Sequence, residues 1–492
     1  MMSASQSREK CPSQSFSLDG VNAQPPPSDL VDFDCPRDVS NPMNWPFSKK
    51  VSTSLLYSLT SLGSVWASTA YAPANAKISE RFDVNPELAL AGTSLLLLGW
   101  GFGPLLWAPL SEVHGRKWPV LIPFLISTVM SFGTAAAKDI QTVLITRFFT
   151  GFFGSAPITC TGGVFVDLWH STQRGNAIVG YTFCVCGGPA LGPVVGGAIV
   201  YYGADWRWTE YVTGILQAAI LLLDVMLVEE SYVPIILSRK AARLRKSTGN
   251  WALHAEWEEK DVLFKELVVK FGIRPLQMLA TPICLSITIY VSFIYATFYA
   301  SLASFPIIFQ DTRGWNEFIG SLPFLAVLVG IAVGAGVNIA NQKYYNRRYL
   351  ANNSIPVPEA RLPPMMVASF VLAGGLFVMG WTSDTSVHWF STIVGVFMLG
   401  FGYYSIFTSG VNYLIDTFQR WGASALAANT FARSVLAAVL PLLIPAMYHR
   451  LGNGWAFTVL GVFAILNIPI PFVFWFYGPK IRKMGKYTSN LG

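Results

Sequence analysis

The stretch "CGGPALGPVVGGAIV", residues 186–200, contains five glycines and two prolines within a long apolar segment. Glycine and proline are the poorest helix formers in water. Inside a lipid bilayer the backbone stays hydrogen-bonded within the helix, so glycine is tolerated there. Gly188, Gly192 and Gly196 recur every four residues, and this spacing predicts a flat strip for close helix packing. Pro193 removes one backbone hydrogen bond and is predicted to kink the helix.

The composition of the whole chain is that of a membrane protein. Of its 492 residues, 52% are hydrophobic and 12% are charged, against about 25% charged residues in soluble domains. Apolar runs of roughly 20 residues recur along most of the chain, and each can cross a hydrocarbon core about 30 Å thick. The net charge of +7 comes from basic residues between these runs, so it does not indicate nucleic-acid binding. We expect an all-α polytopic membrane protein embedded in the lipid bilayer.

The apolar runs predict twelve transmembrane helices in two six-helix halves. The N-terminal half covers residues 51–230, with spans near 51–72, 88–109, 118–137, 141–166, 175–201 and 208–230. The C-terminal half covers residues 281–478, with spans near 281–306, 316–340, 363–383, 388–413, 421–447 and 455–477. The remaining segments are predicted to be a disordered cytosolic tail at 1–50, a cytosolic central loop at 231–280 and a cytosolic C-terminal tail at 479–492.

The basic residues predict the orientation, because Lys and Arg concentrate on the cytosolic side of membrane proteins. With both termini inside, 26 of the 34 Lys and Arg residues lie on the cytosolic side and 6 lie in the outer loops. The remaining two, Arg147 and Arg433, fall within spans. We therefore expect a multi-pass protein with both termini in the cytosol.

The two halves repeat a pattern of charges and prolines. Asp167 ends the fourth span and is followed by Gln-Arg at 173–174, and Asp416 ends the tenth and is followed by Gln-Arg at 419–420. The next span of each half carries two prolines four residues apart: Pro189 and Pro193, then Pro441 and Pro445. We infer an internal duplication. Transporters built from such repeats bind their substrate at the interface between the repeats. The glycine strip is predicted to pack against the opposite half; the alternative is a helix that is merely closely packed.

The loop between the second and third spans reads "WAPLSEVHGRKWPVL", residues 107–121. Glu112 falls at the C-terminal end of a helix, where the helix dipole disfavours a carboxylate. Gly115 suits a helix stop, and Arg116 and Lys117 supply cations at that end. This arrangement predicts an ion-pair latch with Asp167 as a third member. The alternative is that Arg116 and Lys117 only anchor the loop on the cytosolic side.

Several segments resemble the major facilitator superfamily, in particular its fungal drug:proton antiporter branch with twelve spans. "PLSEVHGRK" (109–117) is similar to the loop signature G-x-L-(A/S)-D-x-x-G-R-K, with Ala108 replacing the first Gly and Glu112 replacing Asp. "RFFTGFFGSAP" (147–157) resembles the span-four motif R-x-x-x-G. The antiporter motif G-x-x-x-G-P-x-x-G-G is matched by Gly188, Gly192, Pro193, Gly196 and Gly197. Five further pieces fit the same branch: "NPMNWP", "DWRWTEYVTGI", "EESYVPIILSRKAARLRKSTG", "PEARLPP" and "NTFARSVLAAVLPL".

The resemblance covers residues 41–478 and implies a secondary transporter of the major facilitator fold. In this family the two halves rock between inward-open and outward-open states, and the loop latch steadies the outward-open state. The family also implies a part for Arg147 in proton coupling. A guanidinium within a span normally faces a cavity or a partner; the alternative is that Arg147 extends to the outer interface.

The predicted substrate cavity is lined by aromatic and polar residues on inner helix faces, although each is also explained by packing or by an interfacial belt. The candidates are Trp66, Tyr295, Tyr299, Tyr403, Asn412, Asn429 and Arg433. Such a cavity would be amphipathic and aromatic with little fixed charge. It would suit uncharged or weakly charged aromatic or polyketide-like molecules.

The proton carrier cannot be assigned from the sequence. The first span contains no acid, and the acids nearest the membrane lie toward cytosolic ends: Glu112, Asp167, Asp224 and Asp416. Asp224 lies a turn or two inside the end of the sixth span, which predicts an interfacial position.

The chain carries no motif of an enzyme, no metal-binding cluster and no ATP site, so we expect neither catalysis nor a cofactor. The favoured function is proton-coupled efflux of a xenobiotic or secondary metabolite by a monomer in the plasma membrane, with the vacuolar membrane as the alternative location. Two other functions stay open: proton-coupled uptake of a polyamine, vitamin or organic acid, and a membrane sensor that transports nothing.

Overall fold

The computed structural model describes residues 29–259, 272–353 and 355–484, and these residues fold almost entirely into helices. The helices before residue 228 are α1 (Phe47–Thr69), α2 (Asn75–Phe82), α3 (Pro86–Phe102), α4 (Pro104–His114), α5 (Lys117–Ala135), α6 (Ile140–Leu168), α7 (Ser171–Tyr201) and α8 (Arg207–Leu227). We call them the first group.

The second group follows residue 281 and consists of α11 (Pro282–Phe305), α12 (Glu317–Ser321), α13 (Pro323–Ala351), α14 (Pro363–Trp381), α15 (Trp389–Phe418), α16 (Gly422–Asn467) and α17 (Pro469–Met484). Two helices lie between the groups, α9 (Val233–Thr248) and α10 (Arg274–Leu279).

Nine helical stretches of the described residues are long and apolar enough to cross a membrane. The pair α3 and α4, which meet at an angle of 42°, makes a tenth if it is counted as one span. The expected all-α polytopic membrane protein is confirmed at this level.

Proline and glycine set many of the helix boundaries. Pro86, Pro282 and Pro363 begin their helices, where a missing N–H costs nothing because the first turn has no intrahelical acceptor. Gly452 adopts φ 75° and ψ 164° within α16, which is not helical backbone, so the chain kinks there. Both prolines of the opening stretch, by contrast, lie inside a continuous α7.

Each group packs mainly on itself. In the first group, α1 packs against α6, α7 and α8, while α3 and α5 both pack against α6. In the second, α11 packs against α16, and α15 packs against α13 and α14. The groups meet along two seams, one between α3 and α16 and one between α7 and the pair α12 and α13.

The prediction for the glycine strip is wrong in its partner. A methyl group added at Gly188 or Gly192 would collide with α1, at Val65 and Thr69 respectively, and one at Gly196 would collide with Ala70, the first residue after α1. The strip therefore packs within its own group and not on the opposite half. Glycine spacing identifies a face of a helix but not the helix that covers it.

The neighbouring residue of the same motif has the opposite orientation. A methyl group at Gly197 would meet Ser321 and the backbone of Glu317 on α12. The seam between α7 and the second group is therefore also closely packed, but through Gly197.

The predicted disordered tail is ordered from residue 29 onward, and its residues 1–28 lie outside the described residues. The Val31 N–H donates to the His254 carbonyl over 2.8 Å, and the His254 N–H donates to the Asp29 carbonyl over 2.9 Å. Lys240 on α9 forms an ion pair of 2.6 Å with Asp34. The predicted central loop thus contains helices. It also binds the tail, because the two segments share backbone hydrogen bonds and an ion pair. Its residues 260–271 lie outside the described ranges, as do residues 485–492 of the predicted C-terminal tail.

Candidate functional site

Arg116 lies in a network of ion pairs and hydrogen bonds at one end of the bundle. Its Nε donates to Asp167 Oδ2 over 3.0 Å, and its Nη1 donates to Ser111 Oγ over 3.0 Å. Both side chains of the Arg116–Asp167 pair are largely buried, at 13% and 14% exposure. Burial alone would lower the pKa of Arg116, but Asp167 raises that pKa above its usual value, so the guanidinium stays charged. Glu112, the residue after Ser111 on α4, is half-buried.

The sequence did not indicate the third acid of this network. Glu230, just after α8, accepts hydrogen bonds from the backbone N–H groups of Arg116 (2.8 Å) and Lys117 (3.2 Å). These N–H groups begin α5, so the carboxylate occupies the end of the helix that attracts negative charge. Gly115 has φ 91°, and a side chain there would also collide with Glu230.

The second group carries a matching ion pair. Arg361 Nε donates to Asp416 Oδ2 over 2.9 Å, and Arg361 Nη1 donates to Gln342 Oε1 over 2.6 Å. A methyl group at Gly175, in the first turns of α7, would touch Gln342, so both networks lie at the same end of the bundle. We call this end, defined by the two Arg–Asp pairs, the charged end. The repeat of Asp167 as Asp416 pointed to this pair, but its arginine lies in the "PEARLPP" segment and was not identified.

Arg147 is fully buried near the other end of the first group. Its Nη1 lies 3.1 Å from Glu210 Oε1 on α8, and both side chains are 0% exposed. It also donates to the carbonyls of Ala67 and Ser68, the last turn of α1, over 2.7 Å and 3.3 Å. These geometries exclude the extended interfacial position for Arg147 in this structure. Glu210 lies in the quoted "DWRWTEYVTGI" segment, yet nothing in the sequence paired it with a residue 63 positions earlier.

Asp224 lies in the last turn of α8, where an interfacial position was predicted, and its side chain is buried at 1% exposure. Its neighbours Leu223 and Val225 are exposed on the outside of the bundle, whereas Asp224 points inward to α1. The Asp224 Oδ2 lies 2.6 Å from Thr60 Oγ1. Its Oδ1 is buried and has no hydrogen-bond partner among the described residues.

Four of the predicted cavity residues meet in one aromatic cluster between the helix groups. The ring of Tyr295 lies 5.0 Å from that of Tyr299 and 6.1 Å from that of Tyr403. The Tyr299 hydroxyl lies 3.0 Å from Ser68 Oγ on α1, and its ring contacts Trp100 on α3 edge-on at 6.4 Å. The cluster thus belongs to the second group and touches the first.

Arg433 is the fourth of these residues, and it contributes a charge to the cluster. Its guanidinium carbon lies 4.9 Å from the ring centre of Tyr295 and 5.0 Å from that of Phe407. Asn429, one turn earlier on α16, donates to Thr288 Oγ1 on α11 over 3.4 Å. Arg433 is therefore the charged member of this cluster among the described residues.

The two remaining candidates lie elsewhere. The indole Nε1 of Trp66 donates to Thr213 Oγ1 on α8 over 3.3 Å, which is a contact within the first group. Asn412 is half-buried on α15, more than a turn beyond Phe407.

Comparison with known proteins identifies the family of this fold. The family model described as Major Facilitator Superfamily matches residues 57–441. "Efflux pump bik6" of Gibberella fujikuroi is 50% identical over 463 residues, covering 94% of this chain and 95% of the relative. "Citrinin biosynthesis cluster MFS transporter mrr1" of Monascus ruber is 39% identical over 464 residues, covering 94% and 93%.

Solved structures show the same fold at low sequence identity. The proton:xylose symporter XylE bound to 6-bromo-6-deoxy-D-glucose superposes with a TM-score of 0.63 at 15% identity, covering 87% of this chain and 96% of that one. The xylose transporter XylE from E. coli in a partially occluded inward-open conformation gives a TM-score of 0.59 at 17% identity. At such identities the likeness concerns the fold alone.

Proposed function

The chain belongs to the major facilitator superfamily, and we propose that it exports a secondary metabolite or xenobiotic across the plasma membrane in exchange for protons. The observation that carries the direction of transport is the near full-length likeness, at 50% identity, to a protein named as an efflux pump. The likeness to a transporter named for the citrinin biosynthesis cluster supports a secondary metabolite as cargo. The chain is a multi-pass membrane protein of a family that moves small molecules.

The proposed architecture is twelve spans in two halves, with the first and second groups as the halves. Helix α1 is taken as a span, and each of the pairs α3 with α4 and α12 with α13 forms one span. The stretch Gly422–Lys483 divides at Gly452 into two. The distribution of basic residues supports placing both termini and the charged end in the cytosol. The two Arg–Asp pairs then lie at the cytosolic ends of the halves. The proposed transporting unit is the monomer.

Asp224 is the proposed carrier of the coupling proton. A buried carboxylate without a cation is costly in a membrane, whereas a protonated carboxyl can donate from Oδ2 to Thr60. The Thr60 hydroxyl also lies 2.8 Å from the Leu56 carbonyl. The Thr60 hydroxyl has one hydrogen to donate. If that hydrogen goes to the Leu56 carbonyl, the contact between Thr60 and Asp224 is a hydrogen bond only when a protonated Asp224 donates to the Thr60 oxygen.

The surroundings of Asp224 support the neutral form. Of the titratable groups on α1, Tyr57 is buried close to it, while Lys49 pairs with Glu229 and Lys50 donates to the Met43 carbonyl. On α5 the titratable group is Lys117, whose ammonium nitrogen lies 5.5 Å from the ring centre of Trp118. In the transport cycle Asp224 would take up one proton from the outer side and release it to cytosolic water, so one proton enters for each cycle of export.

Export is tested by deleting the gene in the producing organism and comparing metabolites in cells and medium by mass spectrometry. Deletion is expected to raise the intracellular content of the cargo, and a protonophore should reproduce this in the wild type. Unchanged retention across all compounds would refute export. Lower cellular content after deletion would instead indicate uptake, and binding without flux in proteoliposomes would indicate a sensor. A fluorescent fusion distinguishes the plasma membrane from the vacuolar membrane.

The proton carrier is tested in proteoliposomes with a compound identified by that comparison. Asp224→Asn fixes the side chain in a neutral form. It should abolish accumulation driven by a pH gradient while retaining downhill exchange of the compound. Asp205→Asn is the matched control, because Asp205 is about half exposed and pairs with Arg207 at the start of α8. Gradient-driven accumulation that survives Asp224→Asn would refute the assignment but leave export standing.

A further inference from the structure

The charge of Arg433 is the least compensated in the buried part of the protein that the structure describes. Arg433 is 7% exposed, and its Nε is buried without a hydrogen-bond partner among the described residues. Its contacts there are with the faces of Tyr295 and Phe407. Arg147 provides the comparison, since its charge is met by Glu210 and by backbone carbonyls.

Aromatic faces compensate only part of such a charge. A cation over an aromatic ring gains about 0.5–2 kcal/mol, whereas a charged residue at the centre of a membrane costs at least about 2.5–3.5 kcal/mol. A guanidinium also presents five N–H donors in a planar fork that matches a carboxylate with two parallel hydrogen bonds. A ligand carboxylate would therefore supply what the protein lacks at this position.

The position of Arg433 lies at the seam where the two groups would separate. Ser434, the next residue, would contact a methyl group placed on Gly101 of α3. Tyr299 reaches across to Ser68 and Trp100 in the first group. A rocking motion that opens this seam would expose Arg433 together with the rings around it.

We propose that Arg433 is the anion-binding subsite of the transport cavity and that the preferred cargo is an aromatic acid, with its carboxylate on Arg433 and its ring against Tyr295 and Phe407. This proposal rests on the proposed export function, since it names the chemistry of the compound that the same cavity carries. It also narrows the expectation of an uncharged or weakly charged aromatic cargo to an aromatic acid.

Two probes with the same ring separate charge from hydrophobicity: 2-naphthoate and its methyl ester. Their binding to purified protein in nanodiscs at pH 7 can be measured by isothermal titration calorimetry, which needs neither a proton gradient nor transport. The wild type is expected to bind the acid at least tenfold more tightly than the ester. Arg433→Gln should weaken binding of the acid by tenfold or more and change binding of the ester by less than threefold.

Arg433→Lys keeps the charge but loses the planar fork, so it should give an intermediate preference for the acid. Size-exclusion profiles of both variants report whether they fold. Equal affinity of the wild type for acid and ester, or no binding of the acid, would overturn the subsite. The result separates from the export proposal: selective binding of the acid in a protein that exports nothing would leave the subsite standing, and export of neutral compounds unaffected by Arg433→Gln would leave export standing without the subsite.

Discussion

The buried pair of Arg147 and Glu210 should be among the most sensitive positions for stability. Both side chains are 0% exposed, and removing one partner of a buried ion pair costs about 3–5 kcal/mol because the other charge stays buried. At about 2–4 °C per kcal/mol for a unit of 150–250 residues, Glu210→Leu should lower the apparent melting temperature by roughly 10 °C. Arg147→Met should do the same, because it also leaves the last carbonyls of α1 without their donor.

The double variant Arg147→Met/Glu210→Leu distinguishes pairing from simple packing. If the loss comes from a stranded charge, the double variant should be clearly more stable than the sum of the two single losses predicts. Thermal unfolding of detergent-purified protein, followed by fluorescence-detected size exclusion, measures all three. Glu229→Gln is the control, because the Lys49–Glu229 pair is exposed at 34% and 63%, and exposed pairs contribute about 0–1 kcal/mol. Strictly additive losses, or a control as damaging as Glu210→Leu, would refute the reasoning.

Three further outcomes are expected. Arg116→Ala and Arg361→Ala should each reduce transport sharply without changing membrane insertion, measured by flux and by surface labelling; wild-type flux in both would show that these arginines have no part in the transport cycle. Gly192→Ala should destabilise by about 1–3 kcal/mol because its methyl group overlaps α1, whereas Gly180→Ala on the same helix has open space and should be neutral in the same unfolding assay. Hydrogen bonds with the Ala252 carbonyl and with Glu259 raise the pKa of His254 above its usual 6.5, so the imidazole should be protonated below pH 6.5 and lose its proton as the pH rises through the raised pKa, measured by the pH dependence of its ring-proton NMR shifts.

The sequence predicted the helices well because their signals are local. Predicted spans such as 118–137 and 363–383 correspond to α5 (Lys117–Ala135) and α14 (Pro363–Trp381). Apolar run length, flanking charge and proline at the first turn all act within about 20 residues, the length of one span. The membrane class and the family followed from the same local patterns.

Partners between helices could not be predicted in the same way. Glu210 lies 63 residues from its partner Arg147, and Arg361 lies 55 residues from its partner Asp416. These pairings therefore depend on which helix faces pack together. The predicted packing partner of the glycine strip was wrong for the same reason. Only the repeat of Asp167 as Asp416 gave a long-range signal, because duplication places equivalent residues at equivalent ends.

The comparison of the two groups also separates their proposed tasks. At the charged end they are equivalent, since each has an arginine paired with an aspartate in the last turn of a long helix, Asp167 of α6 and Asp416 of α15. In the buried interior they differ: the first group encloses Arg147 with its own acid, while the second leaves Arg433 facing aromatic rings. A charge neutralised by the protein cannot select a ligand, whereas an uncompensated one can. The equivalent ends then suit a motion shared by both groups, and the unequal interiors suit a division in which the first group holds the coupling proton on Asp224 and the second binds the cargo.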